Sequence, residues 1–292
     1  MVDLWTLGGL SWRELLKRTW RESWEDAIFG QAARLAFYHF LALFPSLLLL
    51  MFLFVKSSDA NSAVRHTLID ALRQIMPQRS SELIDNTMSQ LNARPHTGIG
   101  AVTAALGAGW AALNGTWAMI SGLNTAYEVR ERRSFWSIVF TTFGLTLAIM
   151  ILSLASLGII LFGTYISHRS VFGFRVVEWV VIPILLLLAF ALFYRFGPNL
   201  SDREWAWSTP GAVAALVLWV GSALLVRFYF DLFHSYDRMY SGLSAVAMLL
   251  MWLYFTNAAV LIGGELNSEI EKAAEHQSGQ RQSSTTNASG RL

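Results

Sequence analysis

Residues 137–166 read SIVFTTFGLTLAIMILSLASLGIILFGTYI, thirty positions without one Asp, Glu, Lys or Arg. At about 1.5 Å per residue, a helix of this length outruns the roughly 30 Å hydrocarbon core of a bilayer. A soluble core has no use for so long an uncharged run, and the rest of the chain agrees. Of its 292 residues, 54% are hydrophobic and 14% charged, whereas soluble domains carry about 25% charged residues. The expected class is therefore an all-α, polytopic membrane protein.

Five further apolar runs join Ser137–Ile166. With spans at Ala32–Val55, Ile99–Leu123, Val176–Phe196, Trp207–Phe230 and Leu243–Leu266, the chain reads as six transmembrane helices. Its parts are an amphipathic segment (1–31), the six-helix domain (32–270, with an outer helical hairpin at 59–91) and a polar, disordered cytoplasmic tail (271–292). The N-terminus lacks the short apolar core and small-residue cleavage site of a secretory signal, so the first long run is expected to remain as an anchor. Dense basic clusters, Arg13, Lys17, Arg18 and Arg21 before the first span and Arg130, Arg132 and Arg133 after the second, place both termini in the cytoplasm by the positive-inside rule.

The segment before the first span has its own pattern. Trp12, Leu15, Leu16, Thr19, Trp20, Trp24, Ala27 and Ile28 recur at three- and four-residue steps, with charges on the other side. Such a helix fits the membrane interface, and equally a seat on the protein's own cytoplasmic face. In the hairpin, Val64, Leu68, Leu72 and Ile75 line one helical face before Pro77, and Leu83, Ile84, Thr87, Met88 and Leu91 line a second. In the second span, Gly100, Ala104, Ala108 and Ala112 form a ladder of small side chains, the device by which helix backbones approach closely in lipid. That span is expected at the centre of the bundle.

Polar residues at membrane depth are the candidate functional groups. His39, Asn114 and Asn257 fall within spans and mark a candidate polar path. Arg34 and Glu265 fall at the cytoplasmic ends of spans one and six, and are expected to pair across that face. Arg227, Asp231, His234 and Arg238 would share one face of a continuing helix at the outer boundary, chiefly as a solvated cluster, with a gate as the minority reading. Pro45 and Pro183 are candidate hinges, whereas Pro210-Gly211 stands in a first helical turn, where proline is tolerated.

Other chemistry is missing. No cysteine is present, which excludes disulfides, thiolate metal sites and cysteine nucleophiles. The sequence holds no GxxxxGK[ST], HExxH or GxSxG, and its six histidines are scattered. A formal charge of +2 gives no basis for nucleic-acid binding. No enzyme, metal or cofactor is expected.

Five blocks in order, ARLAFYHFLALFPSLLLL (33–50), GLNTAYEVRERRSFW (122–136), LFYRFGPN (192–199), WSTPGAVAALVLW (207–219) and YSGLSAVAMLLMWLYFTNAAVLIGGELN (240–267), resemble the YihY/virulence factor BrkB family of bacterial inner-membrane proteins. The resemblance implies a six-helix inner-membrane protein. It also brings a historical ribonuclease BN label, which nothing in the residues supports: the arginines of EVRERRSFW read as membrane-flank anchors. The expected function is transport or flipping of a lipid or other amphipathic envelope component. The alternative is a scaffold recruiting envelope partners through the outer hairpin. Expected partners are membrane lipids, with an envelope protein or a second copy of the chain left open.

Overall fold

The computed structural model describes residues 4–56, 98–167, 172–200, 209–232 and 237–289. The outer hairpin, 59–91, lies outside them. Among the described residues there are seven α-helices and no strand: α1 (Trp12–Glu25), α2 (Ile28–Lys56), α3 (Gly98–Ala126), α4 (Phe135–Ser167), α5 (Phe172–Phe196), α6 (Pro210–Leu232) and α7 (Asp237–Ser289). A 3-10 turn, Leu4–Gly9, precedes them. The six longest helices overlie the six apolar runs of the sequence. Three contain stretches long and apolar enough to cross a membrane, Phe135–Ile160, Pro210–Phe228 and Val246–Gln277, and Val180–Phe196 is a shorter apolar stretch. Large apolar side chains face outward along them: Phe135, Trp136 and Phe140 on α4, Val217 and Leu224 on α6. Exposed apolar surface on long helices is the arrangement of a protein whose solvent is lipid.

The chain forms two compact units. The first comprises Met1–Tyr38, Thr116–Leu145 and Leu186–Leu292; the second comprises His39–Gly115 and Thr146–Leu185. In the first, one core joins Ile28, Ala32 and Leu35 of α2, Met119 and Leu123 of α3, Phe190 and Tyr194 of α5, Ala212 and Ala215 of α6, and Ala258, Val260 and Leu261 of α7. A second, smaller core joins Leu7, Leu15, Leu266 and Ile270. In the second unit, the His39 ring of α2 lies on Gly115 of α3, where an added Cβ would meet Nε2 at 3.0 Å.

The central helix of the first unit is α7, not the small-residue span. Almost every residue from Asn257 to Ile270 is buried. On α3, burial is densest in the second half, where every residue from Ala118 to Asn124 except Ser121 is buried, and Ala108 of the expected ladder is buried as well. Ala112 of the expected ladder is exposed, and Gly109 beside it has open space where a Cβ would stand. Close approach needs a partner helix at the small residue, and α7 has them: a Cβ on Gly263 would run into the Tyr194 hydroxyl and stand 2.5 Å from the Gly211 carbonyl.

Helix α7 also continues to Ser289, through the segment expected to be a disordered tail. Residues 269–275, EIEKAAE, are good helix formers, and Ile270 and Ala273 are buried. The N-terminal turn approaches them so closely that a Cβ on Gly8 would stand 2.6 Å from the Ile270 carbonyl. At φ +57, that position suits glycine on both counts.

Local sequence explains the ends of the helices. Ser11 caps α1, its hydroxyl accepting from the Glu14 N–H at 3.3 Å. Thr209 caps α6, accepting from the Ala212 N–H at 3.1 Å, with Pro210 in the first helical position. Pro183 lies inside α5 and Pro45 inside α2.

Candidate functional site

The segment of α7 that carries the site reads TNAAVLIGGELNSEIEKA, residues 256–273. Its small residues allow α5 and α6 to close on it, and its polar residues are thereby taken out of solvent. Each polar group then needs a partner, because a buried polar atom left unbonded costs about 1–3 kcal/mol. Tyr194 donates from its hydroxyl to the Val260 carbonyl at 2.7 Å. The Asn267 oxygen accepts from the Gly211 N–H at 2.8 Å, and its amide donates to Thr209 Oγ1 at 2.9 Å. One side chain thus serves an orphan N–H of the first turn of α6.

Glu265 breaks this pattern. It is fully buried, and neither carboxylate oxygen has a hydrogen-bond partner. The charges that act on it belong to Asp26, Lys272, Glu269 and Glu128. Lys272 is already engaged, with Nζ 2.7 Å from Glu128 Oε1 and 2.9 Å from Glu269 Oε1. Asp26 has its own buried, unpartnered oxygen. Burial, and then the Glu128 carboxylate, push its carboxyl above the ordinary range.

An open depression of about 430 Å³ lies beside this group, lined in part by Asp26, Asn124, Glu128 and Glu131. Its rim is fixed by a polar latch. Arg133 is 2.6 Å from Glu131 and donates to the Phe196 and Gly197 carbonyls at 3.2 and 2.8 Å. It therefore caps the C-terminal end of α5, where cations are favoured. Asn124 donates to Glu131 at 3.0 Å and accepts from the Asn199 N–H at 2.9 Å; the Asn199 amide reaches the Arg130 carbonyl at 3.0 Å. The Arg133 side chain, then its backbone N–H and the Asn124 amide, hold Glu131 down to about 2 against partial burial. The site combines an open hollow that carries Asp26, Glu128, Glu131 and Arg130 with the enclosed Glu265 side chain, which feels the charges of Asp26 and Glu128. Among the described residues, no group of three or more His, Asp or Glu is placed to hold a metal ion.

The expected Arg34–Glu265 pair does not form. Arg34 is exposed and its guanidinium is 3.5 Å from Ser121 Oγ, while Glu265 points inward. Both stand at one end of their spans, but on faces that do not meet. The amides also differ from expectation. Asn114 and Asn257 bond within their own helices, to the Trp110 and Leu253 carbonyls at 2.8 and 2.7 Å, as polar side chains in apolar helices do when no neighbour is in reach. The Asn257 oxygen is buried without a partner. His39 and Asn114 belong to the second unit and Asn257 to the first. At the other end, the face expected to carry Arg227, Asp231, His234 and Arg238 falls only partly within the described residues. Arg227 and Asp231 are on α6, Arg238 is on α7, and His234 lies outside the described residues. Sequence reasoning missed Asp26, Glu269, Lys272 and the latch. Thr-Pro-Gly at 209–211 and Glu-Arg-Arg at 131–133 were the available signals.

A sequence profile of the virulence factor BrkB family matches residues 19–286. The chain belongs to that family. Its relatives include a protein of Bacillus subtilis named as ribonuclease-like, YfkH, 28% identical over 83% of this chain and 90% of its own. A UPF0761 membrane protein of Psychromonas ingrahamii is 26% identical over 88% of each chain. Another, from Ralstonia nicotianae, is 27% identical over 88% of this chain but 59% of its own length. No solved structure matches. This BrkB-family chain is an integral membrane protein, and the latch and the buried row of α7 both fall inside the matched region.

Proposed function

We propose that this BrkB-family protein moves a lipid or other amphipathic envelope component across a bacterial inner membrane. In this reading it is a six-span carrier with both termini in the cytoplasm, and not an enzyme. The observation that carries the reading is Glu265: a carboxylate enclosed in a membrane protein, without a hydrogen-bond donor, beside an acidic hollow. An ionisable group enclosed there, with glycines and Leu266 beside it in the chain, suits a role in handling a polar head group or a coupled cation. The buried, half-satisfied Asn257 two turns away on the same helix extends the polar row.

Reconstitution tests this. Vesicles containing the protein and a head-group-labelled lipid are quenched from outside, with an unrelated six-span protein as control. Movement above the control is expected, falling at least several-fold in Glu265→Gln and Asn257→Leu while the thermal midpoint in detergent is retained. No excess movement across phosphatidylethanolamine, phosphatidylglycerol and lipid-linked sugar probes would overturn the reading.

A further inference from the structure

Helix α1 carries two lines of side chains apart from its charged face, and the fold buries only one of them. At about 3.6 residues per turn, Leu15, Thr19 and Ser23 form one line, and all three are buried. Leu15 packs with Leu266 and Ile270 of α7. Beside that line run Trp12, Leu16, Trp20 and Trp24, each between 56% and 61% exposed. Single exposed apolar residues are ordinary, but a contiguous row of three indoles and a leucine is a surface with an occupant.

Three features identify the occupant. The first is continuity. The rings of Trp20 and Trp24 are 5.8 and 4.9 Å from Phe29, in the first turn of α2. The same face of α2 runs on through exposed Ala33 and Phe37, which in an integral membrane protein is a lipid-facing surface. The second is position: only Asp26 and Ala27 separate α1 from α2, so α1 stays at the level where α2 enters the bilayer. The third is composition. Tryptophan gathers at the head-group level, with an apolar ring and an N–H for the wet side. Arg13 and Lys17 border the stripe, while Glu14, Glu22 and Glu25 are paired with Arg18 and Arg21 of the same helix at 3.0, 2.7 and 3.5 Å, which suits an anionic leaflet.

We propose that α1 is a membrane-surface helix: the Trp12–Leu16–Trp20–Trp24 stripe sits in the head-group region of the bilayer while the Leu15–Thr19–Ser23 stripe holds α7. Both sequence expectations for this helix are then met at once, by different faces. The helix stands between the bilayer surface and the segment of α7 that carries Glu265.

The chain lacks cysteine, so single nitroxide labels test this directly. Leu16→Cys, Trp20→Cys, Trp24→Cys, Glu14→Cys and Arg18→Cys are each labelled in the full chain. They are reconstituted in vesicles of phosphatidylcholine and phosphatidylglycerol, and collision with oxygen and with a water-soluble nickel chelate is measured. The oxygen-to-nickel ratio is expected to be several-fold higher at positions 16, 20 and 24 than at 14 and 18. Equal ratios at all five would mean a helix facing water. Labels at 16, 20 and 24 that are immobilised and reached by neither collider would mean a protein partner or a second copy. Either result overturns the proposal. Leu16, Trp20 and Trp24 are exposed and Glu14 and Arg18 are half-buried partners in a surface ion pair, so each single change leaves the buried face of α1 intact, and the readout is independent of transport.

Discussion

Glu131 and Glu265 are both carboxylates of the first unit, and their surroundings separate them. Glu131 has the Arg133 guanidinium and the Asn124 amide; Glu265 has no donor at all. Because Glu131 is held down to about 2, against an ordinary 4.5, its ionised form favours the folded state. That contribution is complete above about pH 4.5 and is lost as pH falls towards 2, since the unfolded chain takes up its proton first. The latch is partly solvated, so its worth is on the order of 1 kcal/mol rather than the full shift. Glu131→Gln should therefore lower the thermal midpoint in detergent at neutral pH, with the gap to the parent narrowing steadily below about pH 4.5. A gap independent of pH would assign the effect to lost packing. At this scale the sequence singles out Glu265 but assigns it a partner, Arg34, that it does not have. Position along a span follows from counting residues, whereas rotation about the helix axis depends on neighbours the sequence does not pair. That is why Arg34, at the right depth, faces Ser121 instead.

At the scale of elements, helix existence follows from the length of the apolar runs, and the caps from Ser11 and Thr209-Pro210. The identity of the central helix does not. The small-residue rule selects a ladder on α3, yet what matters is whether another backbone arrives at the small residue, and two glycines show the difference. At Gly109 nothing lies within 4 Å of an added Cβ, whereas at Gly263 the Tyr194 hydroxyl and the Gly211 carbonyl occupy its place. Gly263→Ala should cost about 1–3 kcal/mol as overpacking and loosen the Tyr194–Val260 hydrogen bond. Gly109→Ala should be neutral or stabilise by up to about 1 kcal/mol through helix propensity. Thermal midpoints of the two variants in the same detergent check this. Equal losses in both would mean that α7 is not the tightly packed helix.

For the whole molecule, what is legible depends on the solvent. Lipid demands long, internally hydrogen-bonded, outward-apolar helices, so the class is set by runs such as 137–166, and the described helices lie where those runs lie. Polar assembly inside the units follows no such periodic demand: the hollow lined by Asp26, Asn124 and Glu128 draws on the α1–α2 junction, α3 and the turn after it, segments far apart in sequence. Orientation rests on charge alone, and cysteine chemistry tests it cleanly because the background is silent. Ser62→Cys, in the segment read as the outer hairpin, should react with a membrane-impermeant maleimide in intact cells. Arg132→Cys, in the turn after α3, and His276→Cys, near the end of the chain, are exposed residues and should react only after permeabilisation. The pattern is stringent, since an odd number of crossings between positions 62 and 132, and an even number between 132 and 276, are both required. Labelling at 276 in intact cells would remove the six-span, cytoplasmic-termini arrangement. It would also turn the acidic hollow beside Glu265 towards the outside, reversing the direction from which any substrate or cation first meets it.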